Sequence, residues 1–508
     1  MKSKEMTCIE RIFLIVFGCL LVIITGICLA KPQHNLVPAR MVVFTLVWMI
    51  ALCFGRWVIV RFGDWVKREK KEKLLNILLV LFFAVWAVLL FITGYNARRY
   101  PHTDYENVYK AADALARNAE VDNWAYFSRC TNNRFPMLFL SGLLYIGYKL
   151  GFSDAYYFVL AYQVIHIVIT AICLYYLAGG NRTEKSPANA LTVLMLMFLF
   201  TPIWGNIAFF YTDQLSFGYS IIAYTLIYMA MHGNYGKYAK LFMGIASGIL
   251  WATAFQIKVT SIISLIAVTI ILFIRKKYRK NLKYVLVFGI AFALVIAAGE
   301  MRVRALPCEE NVERDSDPVL YWVALGLNGD GSYAANQDFA MQCAFAENKA
   351  AREKLVEQKL TEEWRQFFNG EHIVAKIRCN FASGDVGASG YMTYPYKNNN
   401  IVHELISWDG AYFWKYACLS TSYLFAIFLL MAIGAFYGAF GKKMNFTVMS
   451  AYVTTFGIML FLMLWEAQNK QLFNQTGWIL LAAAYGLQAI KMPDKYFMKK
   501  RSIVLRRK

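Results

Sequence analysis

Two carboxylates follow an apolar stretch of this chain at a place where a membrane anchor would not need them. Asp104 and Glu106 lie in HTDYENVYKAADALAR (102–117), directly after the apolar run 74–94. A carboxylate beside a reacting hydroxyl can take up its proton, although an acid at a membrane boundary is ordinarily just solvated. The two carboxylates would share a face in an extended segment but point apart on a helix. Because ENVYKAADALARNA has high helical propensity, we expect a helix here.

Five further ionisable residues lie within or beside apolar segments. Asp213 ends the turn GNIAFFYTD, where it could equally cap the helix that follows. Lys258 interrupts an apolar hairpin; a charge inside a membrane is costly and usually functional, but a lysine can also extend to the interface as a passive anchor. Glu466 and Lys470, in WEAQNKQLF, could form a structural ion pair. His166 lies inside an apolar run, where a core histidine is expected rather than a ligand.

The composition indicates an integral membrane protein. Of 508 residues, 58% are hydrophobic and 17% are charged, whereas soluble domains are about half apolar and about a quarter charged. Because a helix needs about 20 apolar residues to cross a bilayer, we expect an all-α polytopic protein with about twelve spans. The predicted spans are Ile9–Ala30, Met41–Val60, Leu74–Gly94, Ala155–Leu177, Ala190–Trp204, Leu215–Met231, Leu241–Phe255, Thr260–Ile274, Tyr284–Ala298, Trp414–Phe440, Phe446–Trp465 and Leu472–Ile490.

The net charge of +21 is explained by membrane topology rather than by nucleic-acid binding. The basic residues concentrate in three short segments, 61–73, 275–283 and 491–508. Short loops rich in Lys and Arg stay in the cytoplasm, so we expect both termini there. The longest connection, 305–412, holds 16 of the 32 acidic residues against 9 basic ones and is expected outside. The sequence thus predicts a multi-pass protein of the plasma membrane that contacts the lipid bilayer and no nucleic acid.

This topology divides the chain into three parts. An N-terminal transmembrane module, 1–304, includes the first outer loop, 96–135; an extracytoplasmic region, 305–412, follows; and 413–508 holds the last spans and a basic cytoplasmic tail. The apolar stretch 135–151 is interpreted as a juxtamembrane or partly inserted outer helix, because counting it as a span would invert every later loop. Juxtamembrane helices and a mainly helical outer region therefore accompany the spans.

The cysteines leave disulfide pairing open, and the absence of nucleotide-binding and zinc-binding motifs argues against several other functions. Four cysteines fall in segments expected outside, and their pairing stays open: Cys130, Cys308, Cys343 and Cys379. No Walker loop, no GxGxxG after a strand and no HExxH motif occurs, so nucleotide-driven and zinc-hydrolase chemistry have no support. A cytoplasmic enzyme that uses nucleotide sugars would also need a soluble α/β domain, for which no segment has room.

The order and sidedness of several segments resemble the polytopic GT-C glycosyltransferases, a group that includes the protein O-mannosyltransferases and the aminoarabinose transferases. The similar segments are the acidic first loop with its following RFPML helix, the Tyr/Asp segment YTDQLSFGY, the hairpin GIASGILWATAFQIKVTSII with its lysine, the late segment WEAQNKQLF with Lys470 in place of an arginine, and LGLNGDGSYAANQDF, which is similar to a loop in Firmicute members. The resemblance covers most of the chain.

This resemblance implies the transfer of a sugar from a polyprenyl-phosphate donor to an acceptor on the extracytoplasmic face, with inversion at the anomeric carbon. The acceptor would be a cell-envelope polymer, a glycolipid or a protein. The implied site residues are Asp104 as catalytic base; Glu106 and Asp213 as acceptor or metal contacts; Lys258, Lys470, Arg129 and Arg134 as ligands of the donor phosphate; and Glu466 and Tyr211 as supporting residues. The polar stretch 382–400 would pack over the cleft and help to admit the acceptor.

A metal ion and other functions stay open at the level of sequence. Some relatives hold a divalent cation between carboxylates of the first two outer loops, and Asp104, Glu106 and Asp213 would suit Mg²⁺ or Mn²⁺. A flippase or transporter of lipid-linked saccharide would also be polytopic, but it more often shows two related halves or spans broken by Gly or Pro. A surface-polysaccharide polymerase or ligase, and a non-catalytic envelope partner, are further alternatives.

Overall fold

The computed structural model describes residues 6–180, 186–276, 278–390, 400–441 and 444–490. The predicted basic tail 491–508 lies outside the described residues, as do 391–399 of the polar stretch 382–400. Within the described ranges the chain folds into helices, with no β-strand.

The helices are numbered along the chain. The first fourteen are α1 (Cys8–Ala30), α2 (Pro38–Arg68), α3 (Glu72–Asn96), α4 (Thr103–Ala116), α5 (Trp124–Arg129), α6 (Arg134–Lys149), α7 (Tyr156–Tyr175), α8 (Pro187–Leu199), α9 (Thr201–Asn206), α10 (Thr212–Ser216), α11 (Tyr219–His232), α12 (Lys237–Ile257), α13 (Ile262–Ile274) and α14 (Tyr278–Arg304). The remaining helices are α15 (Val312–Asp315), α16 (Tyr321–Leu325), α17 (Gln337–Phe345), α18 (Lys349–Glu363), α19 (Gly370–Phe381), α20 (Ile401–Ile406), α21 (Phe413–Phe440), α22 (Phe446–Leu464) and α23 (Thr476–Ala489).

Eight of the described helices are long and apolar enough to span a membrane: α1, α2, α3, α7, α12, α14, α21 and α22. Helices α2, α3 and α14 expose large apolar side chains such as Ile50, Val80 and Leu294, as expected for a surface that faces hydrocarbon rather than water. Helix α21 is buried along most of its length and forms the centre of the bundle. The prediction of an all-α polytopic membrane protein is confirmed.

The other four predicted spans are shorter helices joined to polar extensions. Helices α8 and α13 have 13 residues, and α11 and α23 have 14. The extensions are α9 after α8, α10 before α11, and 3₁₀ turns over Val259–Ser261 and Asn469–Gln475 before α13 and α23. The predicted spans Ala190–Trp204 and Leu215–Met231 therefore each merge two helices.

Gly218 makes the break between α10 and α11. Its φ of 78° lies in the left-handed region, which costs a glycine little and other residues much more. An added Cβ would also lie 2.0 Å from Oγ1 of Thr170. At membrane depth such a break must be enclosed by protein, and the residues around it are buried.

Close backbone contact between glycines joins the central helices. An added Cβ on Gly486 of α23 would lie 1.7 Å from the carbonyl oxygen of Leu430 in α21, and one on Gly434 would lie 2.3 Å from the hydroxyl of Tyr452 in α22. Without a hydrophobic drive between helices in lipid, small residues at such crossings permit the van der Waals packing that holds a bundle together.

Helix α6, which covers the stretch 135–151, does not cross the bundle. The hydroxyl of Tyr156, at the start of α7, donates to the carbonyl oxygens of Gly94 at 3.4 Å and Ala208 at 3.2 Å. Because Gly94 is near the end of α3, α7 begins at the end of the bundle where α3 stops, here called the site end. Helix α6 packs on α4 and α7 at that end, as the sequence interpretation expects.

The region 305–412 also packs on the site end. Arg129 at the end of α5 forms an ion pair of 3.0 Å with Asp317, and Arg352 of α18 lies 3.7 Å from the same carboxylate. The segment 337–368 forms α17, α18 and a 3₁₀ turn, after which Asn369 caps α19. Helix α19 packs against α1 and α22, so the region is attached to the spans at several points.

Candidate active site

Polar extensions of the broken helices meet at the site end. Asn474, in the turn before α23, donates to Oγ1 of Thr260 at 2.9 Å, and Gln214 of α10 donates to Oδ1 of Asn206 in α9 at 2.7 Å. All four side chains are buried. Because the NH₂ groups of Asn474 and Gln214 both donate to buried partners, a polar network links the breaks in the spans.

Lys258 and Asp213 form an ion pair within this network. Lys258 follows the end of α12, and its Nζ lies 3.2 Å from Oδ2 of Asp213. Asp213 is almost fully buried and makes no capping bond, because α10 starts at Thr212 with Tyr211 as its N-cap residue. The capping alternative for Asp213 therefore does not occur. The pair places the ammonium group of Lys258 beside the start of α10 and the end of α12.

Glu466 and Lys470 lie on the turn after α22. Burial raises the pKa of the Glu466 carboxyl, the positive charges of Lys470 and Lys258 oppose this shift, and the negative charge of Asp104 adds to it. Gln468 donates a hydrogen bond of 2.5 Å to Oε1 of Glu466. The two lysines and Asp104 are thus all within electrostatic reach of one buried carboxyl group, although they come from distant parts of the chain.

A chain of hydrogen bonds links Asp104 to Tyr211, whose ring lies close to Lys470. The hydroxyl of Tyr211 donates to Oδ1 of Asn133 at 3.1 Å, and Nδ2 of Asn133 donates to the hydroxyl oxygen of Tyr126 at 2.5 Å. Tyr126 in turn donates to the carboxylate of Asp104; burial and that carboxylate raise the pKa of its phenol. Nζ of Lys470 lies 5.7 Å from the centre of the Tyr211 ring. Asp104 is exposed at the other end of this chain.

A cavity of about 410 Å³ opens between the first loop and the late turn. His102 and Thr103, directly before Asp104, line one side, and 467–470 line another. Gln33 and Cys379 complete the lining together with two glycines of the segment 382–390. The exposed carboxylate and Lys470 are therefore next to a space that a polar group can enter.

Three sequence candidates lie apart from this group. Glu106 pairs with Lys110 one turn along α4, because on a helix it points away from Asp104. Arg129 is held by Asp317, as described above. Arg134 is buried, with Nε donating to the carbonyl oxygen of Phe127 at 2.8 Å and Nη1 to Glu309 at 2.5 Å. These partners leave both arginines in structural contacts rather than at the cavity.

The expected oxygen-rich metal set is also not assembled. Glu106 faces Lys110 and Asp213 faces Lys258, so Asp104 lacks the two carboxylates that the sequence offered. Among the described residues no group of three or more His, Cys, Asp or Glu side chains could hold a metal ion. A dependence on Mg²⁺ or Mn²⁺ stays a prediction.

His166 packs in the core, as the sequence interpretation expects. The His166 ring is buried, with its centre 4.3 Å from that of Tyr219 and 5.9 Å from that of Tyr162. All ten cysteines, which lie in the described ranges, are free thiols in the structure.

Several residues of the site were missed from the sequence. Tyr126 and Asn133 have no charge to mark them, although Asn133 directly precedes the RFPML helix. Asp385 is buried in the segment 382–390, and Lys376 is buried on α19. The signal for Asp385 is its setting between glycines and serines in SGDVGAS, a spacing typical of a tight loop around one acceptor.

Comparisons with known proteins identify a family. A sequence model described as "conserved hypothetical integral membrane protein" matches residues 3–484. No curated protein matches the chain. Among solved structures, ArnT from Cupriavidus metallidurans bound to undecaprenyl phosphate has a TM-score of 0.36 and 11% identity, over 81% of this chain and 77% of that one. The apo form has a TM-score of 0.36 and 13% identity, over 80% and 77%.

ArnT is a GT-C glycosyltransferase, the group that the sequence segments resemble. At a TM-score of 0.36 the likeness carries no argument, and the site is interpreted from this chain's own residues. The match over residues 3–484 covers nearly the whole sequence, and the chain belongs to the family of conserved hypothetical integral membrane proteins.

Proposed function

We propose that this protein transfers a sugar from a polyprenyl-phosphate donor to an acceptor of the cell envelope. One observation carries the proposal: a cavity at one end of the membrane-spanning bundle is lined both by Lys470 and by His102 and Thr103, the two residues that directly precede the exposed Asp104. A carboxylate can take the proton of an acceptor hydroxyl, and ammonium groups in a partly buried site can stabilise a departing phosphate.

In this reaction the acceptor oxygen forms a bond to the anomeric carbon while the bond from that carbon to the phosphate oxygen breaks. The hydroxyl proton passes to Asp104, and the electron pair of the broken bond leaves with the lipid phosphate. Attack opposite the leaving group inverts the anomeric centre. Lys470 lines the cavity and is the first candidate for the phosphate; Lys258, neutralised in part by Asp213, is the second.

The side of the membrane is part of the proposal. At the end of the bundle opposite the site, Arg275 forms a buried ion pair of 2.8 Å with Glu10 near the N-terminus, and the basic segment 61–73 joins α2 to α3. Because short basic loops stay in the cytoplasm, this end would face inward. The site end would then face the outside, where lipid-linked sugars meet wall polymers, glycolipids and secreted proteins.

A flippase for lipid-linked saccharide is the second candidate, and the broken helices favour it. Transporters commonly bind at discontinuous helices near buried charges, and the break at Gly218 with the buried pair of Lys258 and Asp213 has this character. The exposed position of Asp104 favours the transferase, since a carboxylate open to the outer solution can meet an acceptor.

The test uses the full chain in membrane vesicles that contain radiolabelled polyprenyl-phosphate sugars. Label is followed into polymer, lipid and protein fractions, with and without EDTA to detect a need for Mg²⁺ or Mn²⁺. Asp104→Asn keeps the shape of the base but cannot accept the proton, so we expect transfer to fall at least about 100-fold. Glu106→Gln is the matched control, because its carboxylate lies on the same helix but pairs with Lys110.

Equal transfer by wild type and Asp104→Asn would exclude Asp104 as the base. Movement of lipid-linked sugar across the bilayer without any transfer would support the flippase instead.

A further inference from the structure

The segment 382–390, here called the glycine–serine loop, is not an exposed cover over the cavity. Its residues from Ala382 to Ser389 are buried except for a partly exposed Gly387. The loop lies between the spans and the late turn that carries Lys470. Two of its glycines, Gly387 and Gly390, line the cavity, and a role of 382–400 in admitting the acceptor stays a prediction.

Asp385 is the centre of the glycine–serine loop. Its carboxylate accepts hydrogen bonds from the hydroxyls of Ser383 and Ser389, from the backbone N–H groups of Ser389 at 3.2 Å and Gly387 at 3.4 Å, and from Nδ2 of Asn469 at 3.1 Å. A buried carboxylate with this many donors is fully satisfied and fixes each donor in turn. Of these donors, Asn469 alone comes from outside the loop, and it is the residue before Lys470.

The loop is fixed to the spans on its other side. The N–H of Gly384 donates to Oγ1 of Thr421 in α21 at 3.0 Å, and a Cβ on Gly384 would lie 2.1 Å from the carbonyl oxygen of Ser420. His34, between α1 and α2, lies 2.9 Å from the hydroxyl of Ser383. These contacts fix the loop against α21 and the connection between α1 and α2.

Gly387 brings the loop backbone directly against Lys470. A Cβ on Gly387 would lie 2.6 Å from Cβ of Lys470, and the φ of Gly387 is 80°. Glycine is thus needed both for the left-handed backbone and for the close approach. Lys470 is restrained at its own Cβ by Gly387 and at the preceding residue by Asp385.

We propose that Asp385 is a positioning residue that holds Lys470, through Asn469 and Gly387, at the place where a lipid-linked phosphate binds. The inference rests on the proposed function for its substrate. A lysine on a free turn would lose side-chain and backbone entropy on binding the phosphate, whereas a restrained lysine has lost it beforehand. The carboxylate then acts on donor binding without touching the donor.

The first measurement is the binding of polyprenyl phosphate itself, without a sugar, to the purified full chain in detergent. Asn469→Ala removes the one bond from Asp385 to the turn, and we expect its Kd to rise about tenfold. Ser389→Ala is the matched control, because it removes a hydroxyl bond to the other oxygen of the same carboxylate, Oδ2, to which the backbone N–H of Ser389 still donates, whereas Asn469 donates to Oδ1. Its Kd should stay within about twofold of the wild type.

A double-mutant cycle with Lys470→Met separates positioning from general loosening. If Asn469 acts through Lys470, the double variant binds no more weakly than Lys470→Met alone, whereas independent effects add. Equal loss in Asn469→Ala and Ser389→Ala, or full additivity with Lys470→Met, would overturn the inference. In transfer assays the effect should appear in KM for the donor, with kcat changed less than about twofold.

Failure of this inference and failure of the proposed function have different signatures. Wild type that transfers sugar, with an Asn469→Ala variant of unchanged donor KM, contradicts the positioning role alone. Wild type that binds polyprenyl phosphate with the expected cycle but transfers no sugar supports the positioning role and contradicts the transferase.

Discussion

Lys376 is a buried amine close to the site but outside its cavity. On α19 its Nζ donates to the carbonyl oxygen of Gly326 at 2.8 Å. Burial lowers the pKa of this lysine to about 8, and the neighbouring Cys379 and Glu466 oppose that shift. The glycine-rich turn that begins at Gly326 therefore covers the ammonium group of Lys376, which loses its proton in mildly alkaline solution.

The stability of the protein should depend on pH through Lys376. The folded chain releases this proton near pH 8 while an unfolded lysine keeps it to 10.5, so the unfolded state binds more protons and the free energy of unfolding rises with pH in that window. Between pH 8 and 9 the gain is about 1 kcal/mol. Above pH 9 the thiol of Cys379, whose pKa is raised to about 12, acts in the opposite direction.

Thermal unfolding in detergent at pH 8 and 9 tests this dependence. The melting temperature of the wild type should rise relative to that of Lys376→Met, which keeps the length of the side chain without its proton. Parallel pH profiles for the two proteins would show that Lys376 is not the titrating group.

At the residue scale, charge beside apolar sequence marked the candidate residues but did not predict their partners. Asp104, Lys258 and Lys470 stood out because a bilayer makes such residues costly. Nothing local showed that Arg129 pairs with a carboxylate 188 positions away or Arg134 with one 175 positions away. Tyr126 and Asn133 were missed because neutral hydrogen-bonding residues give no signal until their partners are known.

At the element scale, apolar run length predicted where helices lie but not where they break. The predicted span Leu215–Met231 includes Gly218, a common residue in membrane helices, whose left-handed φ and close approach to Thr170 do not show in the sequence. The stretch 135–151 forms α6, which packs on α4 and α7, and its juxtamembrane placement stays a prediction from the charges of later loops. Backbone breaks depend on tertiary contacts that the sequence does not reveal.

The crossing of α21 and α23 should be intolerant of even one methyl group. Gly486→Ala would place a Cβ 1.7 Å from the carbonyl oxygen of Leu430, so the helices must separate, at a cost of about 1–3 kcal/mol. Gly26→Ala in α1 is the control, since a Cβ there meets nothing within 4 Å. Melting temperatures in detergent should fall for the first variant alone; equal values for both would mean that the crossing can relax.

At the scale of the whole molecule, ionic contacts with the first loop help to hold the region 305–412 in place. Asp317 is nearly buried between Arg129 and Arg352, and the surrounding cluster of Tyr321, Ala340 and Val356 is small. Removal of one partner leaves a buried charge incompletely compensated.

Arg129→Met should therefore loosen this region without affecting phosphate binding. We expect faster cleavage of 305–412 in limited proteolysis, consistent with a local loss of about 2 kcal/mol, and an unchanged Kd for polyprenyl phosphate. Arg314→Met is the control, because its exposed pair with Asp315 joins neighbouring residues. A weaker Kd with unchanged proteolysis would restore Arg129 as a phosphate ligand.

The hydrogen-bond chain from Tyr211 through Asn133 and Tyr126 to Asp104 has a direction. Each donor points toward Asp104, and the amide between the two phenols cannot hand a proton on without becoming a different tautomer. In the proposed transfer, a proton taken up by Asp104 would therefore not pass back along this chain, and the exposed carboxylate would release it to bulk water. Each turnover would acidify the solution on the side that Asp104 faces, and in a sealed vesicle that side could be read from a pH-sensitive dye.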